Sequence, residues 1–185
     1  MRRFILLVVI FVLAAILGHF VVLRLVPSVI MNKAMEQMEA RGVTLHSFTL
    51  APRTTPQTQT VVRPSPDLAY SICLFDLSVG QSLRVKTGLY DDYASVSFFD
   101  ARTNNFASVR VGAGLDPAQG SDILLHAAGK PALSVSEFAG PQFNAPSQRG
   151  LILIRRLAPT QALFKNVAEI ASADMCALQP KGWTP

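Results

Sequence analysis

From Phe4 to Leu23 the chain is apolar at every position except Gly18 and His19. About 20 apolar residues in a helix cross roughly 30 Å of hydrocarbon. Inside lipid only a helix satisfies its own backbone within one segment, so the run predicts one transmembrane helix with membrane lipid as its partner through residues 4–23. A cleaved signal peptide has a shorter apolar core, about 7–15 residues, and a small-x-small cleavage site. The stretch "LGHFVVLRLV" offers no such site, so residues 1–26 are expected to remain as an anchor.

Beyond Pro27 the period changes. Met31, Met35 and Met38 recur at i, i+4 and i+7 with Ala34 beside them, the mark of one apolar helix stripe. Ser28 suits a helix start and Gly42 a helix end. Such a helix packs on the globular part of its own chain, lies at the membrane surface, or pairs with another subunit. Leu50–Asp67 is rich in Pro and Thr and reads as an extended connector with polyproline character. Residues 27–62 are thus a juxtamembrane helix and linker, and 63–185 the folded domain.

The domain reads as strands. "AYSICLFDL" is aromatic and branched, Gly80 marks a turn, and "SLRVKTG" alternates. "YASVSFFD" and "FASVRVG" form a hairpin about "ARTNN", whose Asp and Asn residues suit a turn. "DILLHAAG" and "RGLILIRRL" supply two more strands. Pro159 then opens "PTQALFKNVAEIASADMCAL", where Ala162, Leu163, Val167, Ile170 and Ala171 suit one helix face. The expected fold is α+β, mainly β: an antiparallel β-sandwich-like exported domain with a C-terminal helix, preceded by the transmembrane helix.

Charge changes this picture little. Three of the 17 Lys and Arg precede Pro27, leaving 14 against 12 acids. A net +2 without a basic run gives no nucleic-acid footprint. Arg2 and Arg3 favour a cytoplasmic N-terminus, although Arg24, Lys33 and Arg41 pull the other way. With the rest exported, Cys73 and Cys176 lie where disulfides persist. A bridge between them would close a loop of roughly a hundred residues, worth about 4–5 kcal/mol in the chain-entropy model; two buried thiols are the alternative.

Few groups suit catalysis. His19, His46 and His126 show no metal-ligand spacing, and no metal or cofactor is expected. The nucleophile elbow, phosphate loop and dinucleotide fingerprint are all missing from the sequence. Asp91 and Asp92 read as a solvated turn. Arg149, Arg155 and Arg156 flank "GLILI", with 155 and 156 on opposite strand faces. One of these arginines could pair with Asp67 or Asp76, or an arginine fork could hold a carboxylate or phosphate.

The stretches "RPSPDLAYSICLFDLSVG" and "DDYASVSFFDARTNNFASVRVG" resemble the bacterial domain of unknown function 1254 family, in its short membrane-anchored branch. Asp67, Tyr70, Ser71, Asp76, Leu77 and Ser78 stand in its opening motif. Tyr93, Ser95, Asp100, Thr103, Asn104, Asn105 and Phe106 stand in its hairpin. The resemblance covers Arg63 to Leu178, and Ser65 departs from the Asn frequent in longer members. It implies a mainly β fold, export, and no agreed reaction. Larger members carry a second domain, numbered 1214, after this one. Together with the apolar run, this gives the expectation of a single-pass inner-membrane protein with its N-terminus cytoplasmic and its domain in the periplasm. That domain would act in envelope protein assembly, with a companion carrying a 1214-type domain as partner. The alternative is a small-ligand-binding or hydrolytic domain with Asp67, Tyr70, Arg149, Arg155 and Arg156 as candidate ligand-binding residues.

Overall fold

The computed structural model describes residues 1–55, 57, 64–77, 81–112, 121–129 and 138–180. Ser78, the Gly80 turn and much of the connector up to Arg63 lie outside the described residues.

One helix, α1 (Arg2–Ala40), takes in both the apolar run and the methionine stripe. Its 39 residues reach about 58 Å at ~1.5 Å per residue. Ser28 therefore does not start a second helix: Pro27 lies inside α1. A proline there removes one helical donor, the bond to the carbonyl four residues earlier, and the helix continues past it. At its far end α1 is stopped by Gly42, at φ +92. Gly42 N–H donates to the Glu39 carbonyl (3.0 Å) and Val43 N–H to that of Met38 (3.1 Å). These are the two bonds of a Schellman cap, and Met38 and Val43 pack in one apolar cluster.

Two sheets face each other beyond this cap. The first has five antiparallel strands in the order β1-β2-β8-β4-β5. These are β1 (Thr49–Leu50), β2 (Leu68–Asp76), β8 (Arg149–Leu157), β4 (Tyr93–Asp100) and β5 (Asn105–Gly112). The second has the order β7-β6-β3-β9. It is built from β7 (Gln142–Asn144), β6 (Asp122–His126), β3 (Ser82–Lys86) and β9 (Met175–Leu178); β6 and β7 run parallel and the other described pairs antiparallel. Side chains alternate across each strand. Cys73, Phe75, Val96, Phe98, Ile152 and Ile154 thus point from the first sheet into a shared core with Leu83, Val85, Ile123 and Leu125 of the second. Among the described residues the fold is a two-sheet, mainly β sandwich with a helix near the C-terminus.

That helix, α2 (Gln161–Ala171), is shorter than its pattern predicts. Thr160 caps it, accepting from Leu163 N–H at 3.2 Å, so Pro159 sits before the cap. Its core face is Phe164, Val167 and Ile170, whereas Ala162 and Leu163 are exposed. The chain then turns at Asp174 and runs as β9 alongside β3. Two tertiary ties favour strand over helix there. Asp174 is drawn into a buried ion pair, and Cys176 is bonded to Cys73 across the sandwich. The bridge joins residues 103 apart in sequence.

Candidate functional site

The hairpin that carries the family-like motif is explained locally. Asp100 is buried, and its carboxylate accepts from Arg102 N–H (2.8 Å), Asn104 N–H (2.9 Å) and the Asn104 side-chain amide (2.9 Å). Thr103 adopts φ +65 to close the turn. Every acceptor direction of Asp100 that these bonds occupy is spent on the turn, so "DARTNN" is a hairpin cap.

The candidate ligand residues do not gather into one pocket. Asp67 is exposed where the chain enters β2, and its backbone carbonyl accepts from Ala158 N–H at 2.7 Å. Arg149 lies at the opposite end of β8 from Arg155. It reaches Asp76 at 3.6 Å and Glu39 of α1 at 3.4 Å. Arg156 faces the interior and is 1% exposed. Its guanidinium holds Asp174 in a two-pronged pair of 2.5 and 2.8 Å, and Gly88 N–H completes Asp174 at 2.9 Å. Arg156 thus pairs with neither Asp67 nor Asp76. The interior clasp is extended by Tyr90, whose hydroxyl donates to the Leu157 carbonyl. Burial, and then Asp92, push the Tyr90 phenol above its ordinary pKa, against a smaller opposing pull from Arg156.

Only Tyr70 and Arg155 come together. They are directly opposed in the β2–β8 register, with Ser95 of β4 and Arg110 of β5 continuing the row. Directly opposed residues share a face, so the row Tyr70–Arg155–Ser95–Arg110 lies on the outer side of the five-stranded sheet. Arg155 donates to Ser97 Oγ (3.3 Å), which lies 3.0 Å from Ser108 Oγ; Tyr93 OH donates to Ser95 Oγ (3.2 Å). The Tyr70 hydroxyl accepts from Ser65 N–H at 2.8 Å. Among the described residues neither Arg155 nor Arg110 is paired with a carboxylate.

The next row toward Arg149 is Ile72–Leu153–Ser97–Ser108, and beyond it come Leu74, Leu151 and Phe99. This apolar half of the face receives the methionine stripe. Met31 and Met35 are buried against Leu74 and Leu151, with Met38 alongside. The stripe therefore packs on its own domain. Helix and sheet leave a groove of about 260 Å³ between them, lined by Met31, Met38, Ile72, Phe99, Leu151 and Leu153.

A second constellation escaped the sequence. Ser82 Oγ lies 2.8 Å from His126 Nδ1, and His126 Nε2 lies 3.0 Å from Gln142 Oε1. If Nε2 carries the proton, Nδ1 accepts from the serine, a base-and-orienter order. His126 is 3% exposed, and the chain of bonds clasps β3, β6 and β7 side by side. Only the Ser82–His126 register reveals it, and sequence separation hides that register. Among the described residues no group of three or more His, Cys, Asp or Glu could hold a metal ion.

Comparison with solved structures finds the same fold in one protein and a looser likeness in a second. The VPA0106 protein from Vibrio parahaemolyticus matches with TM-score 0.60 at 10% identity, over 86% of this chain and 37% of that one. An uncharacterized protein from Burkholderia cenocepacia matches with TM-score 0.45 at 13% identity, over 72% of this chain and 34% of that one. The chain thus spans about a third of the length of each. No curated protein matches it. The model of the family described as "Protein of unknown function (DUF1254)" matches residues 45–177, a span that runs from before β1 to β9. Since that match covers most of the chain, the protein belongs to the DUF1254 family.

Proposed function

We propose that this is a single-pass protein of the bacterial inner membrane whose periplasmic domain works in protein assembly at the envelope, with a companion carrying a 1214-type domain as its expected partner. The observation that carries this reading is the continuity of α1. The apolar part of the helix is exposed along its length, and the same helix runs on into the docked methionine stripe. A domain held this way keeps one attitude to the bilayer and offers fixed faces to a neighbour. Anchoring also raises the effective concentration of a co-anchored partner. The scatter of Asp67, Arg149 and Arg156 away from Tyr70 and Arg155 speaks against the pocket that a ligand-binding or hydrolytic reading needs. The test is affinity purification from native membranes in mild detergent, followed by mass spectrometry. A stoichiometric companion with a 1214-type domain is the expected result. A chain that purifies alone, as a monomer, would overturn it.

A hydrolytic second reading has one observation in its favour, the Ser82–His126–Gln142 chain. A fluorophosphonate probe decides it: labelling of Ser82 that Ser82→Ala abolishes would support a hydrolase. The burial of His126 predicts no labelling.

A further inference from the structure

The outer face of the five-stranded sheet changes character within one row. Ile72 and Leu153 belong to the apolar groove. Two residues further along the same strands, on the same face, stand Tyr70 and Arg155. Two residues along a strand is about 6.6 Å, so a slot of hydrocarbon character opens directly onto a guanidinium and its hydroxyls. The row Tyr70–Arg155–Ser95–Arg110 holds two arginines and no carboxylate. The acids nearest in sequence are Asp67, exposed ahead of β2, and Asp92, which accepts from Tyr93 N–H at 2.6 Å. The opposite sheet differs. There Arg84 and Lys86 both pair with Asp122, at 2.6 and 3.6 Å.

The groove also lies at the level of the bilayer surface if α1 spans it, and this inference rests on that reading. Leu25, Val26, Val29 and Ile30 are exposed, from 41% to 58%. Apolar helix surface therefore continues past Leu23 up to Met31, the first methionine of the groove. Arg24 interrupts it only as a residue whose long stem can reach the headgroups. Exposed apolar area of this kind marks a surface that is covered in use. The lipid that covers Val29 and Ile30 is then the neighbour of the groove mouth.

We infer that the groove between α1 and the five-stranded sheet takes one acyl chain of an anionic phospholipid from the surrounding bilayer, with the Arg155–Ser97–Tyr70 cluster receiving its phosphate. Charge complementarity selects an anionic headgroup, since Arg155 presents several donors in a fixed fork suited to phosphate oxygens. The groove volume, about 260 Å³, lies just under the ~300–1,000 Å³ of sites that enclose a drug-sized ligand, so it takes part of one chain and excludes a second.

The test uses the full chain in lipid nanodiscs doped with phosphatidylglycerol bearing a diazirine on one acyl chain. Nanodiscs doped with the equivalent phosphatidylcholine serve as the comparison. After irradiation, adducts are mapped by peptide mass spectrometry. The expected result is phosphatidylglycerol adducts on peptides containing Ile72, Phe99 or Leu153, several-fold above those from phosphatidylcholine. Leu153→Trp should fill the groove and abolish them. Arg155→Gln, an exchange on the open face, should remove the headgroup preference while leaving the unfolding midpoint unchanged. Adducts within residues 4–23 are expected in every variant. Groove adducts absent while anchor adducts persist would overturn the lipid site and leave the anchor standing. Absence from both segments would overturn the membrane reading itself. Equal labelling by the two lipids, or a protein–protein crosslink through the groove in place of a lipid adduct, would also contradict the inference.

Discussion

The two faces of the five-stranded sheet are built from the same strands and treat the same chemistry in opposite ways. Arg155 and Arg156 are neighbours in β8. Arg156 points inward, is 1% exposed, and meets a carboxylate that is itself fully buried. Arg155 points outward and donates to the Ser97 hydroxyl, with Tyr70 opposite it in the neighbouring strand. The inner face is closed: Asp174 satisfies most of Arg156, although its Nε has no hydrogen-bond partner, and the Cys73–Cys176 bridge crosses the core nearby. On the outer side the face is half covered by the chain's own long apolar helix and half open. The difference separates what makes the fold from what the fold presents. An arginine inside a sandwich is tolerable only with its carboxylate beside it. An arginine on the open face carries no such constraint and is available to another molecule.

The largest expected effect breaks the closed face. Arg156→Met leaves Asp174 buried without its partner and should cost about 3–5 kcal/mol in urea unfolding of the detergent-solubilised chain. The double variant Arg156→Met/Asp174→Leu should recover much of that, because both charges then leave together. Next is the bridge. Cys73→Ser with Cys176→Ser removes the tie between β2 and β9 and should cost about 2–5 kcal/mol; β9 should then gain hydrogen exchange ahead of β2. On the outer face, Met35→Ala should cost about 2–3 kcal/mol, at the lower end of buried methionine truncations, because the groove beside it gives the site room to relax. Its signature is local: protease cleavage between Ala40 and Leu45 should rise before the sandwich unfolds. The smallest effect is on pH. The folded Tyr90 phenol titrates above its unfolded value of about 10, so the stability it lends is fully present below pH 10. That contribution is lost as pH rises from there through the folded pKa. Tyr90→Phe should therefore flatten the alkaline fall in unfolding midpoint relative to the parent chain.

Much of this architecture was legible from residue pattern alone. The hairpin of β4 and β5 announced itself by alternation about an Asp-and-Asn-rich turn, and β2, β3, β6 and β8 by branched and aromatic runs. What stayed hidden depends on distance in sequence. β1 has two residues and exists only by pairing with Ile72 and Ser71, and β7 has three. β9 reads as helix because Met175–Leu178 has helix-compatible residues; the ion pair of Asp174 and the bridge at Cys176 override local preference. The break expected at Pro27 did not occur, since a helix tolerates one missing donor. The candidate site was legible only in part. Opposite faces for Arg155 and Arg156 follow from strand geometry, but register alone aligns Tyr70 with Arg155, and only the fold gives Arg156 its partner in Asp174. The groove could not be foreseen, because it needs the methionine stripe and three separate strands at once.

The central claim is the docking of α1 against the outer face, which makes the C-terminal part of the long apolar helix part of the domain. Spin labels at Glu36 of α1 and Lys165 of α2, both exposed, allow that to be measured by double electron–electron resonance on the full chain in nanodiscs. The native cysteines are bridged and stay unlabelled. A docked helix gives one narrow distance distribution, which Met35→Asp broadens. A broad distribution in the parent chain, unchanged by Met35→Asp, would mean that the anchor is a loose tether, and would contradict the account.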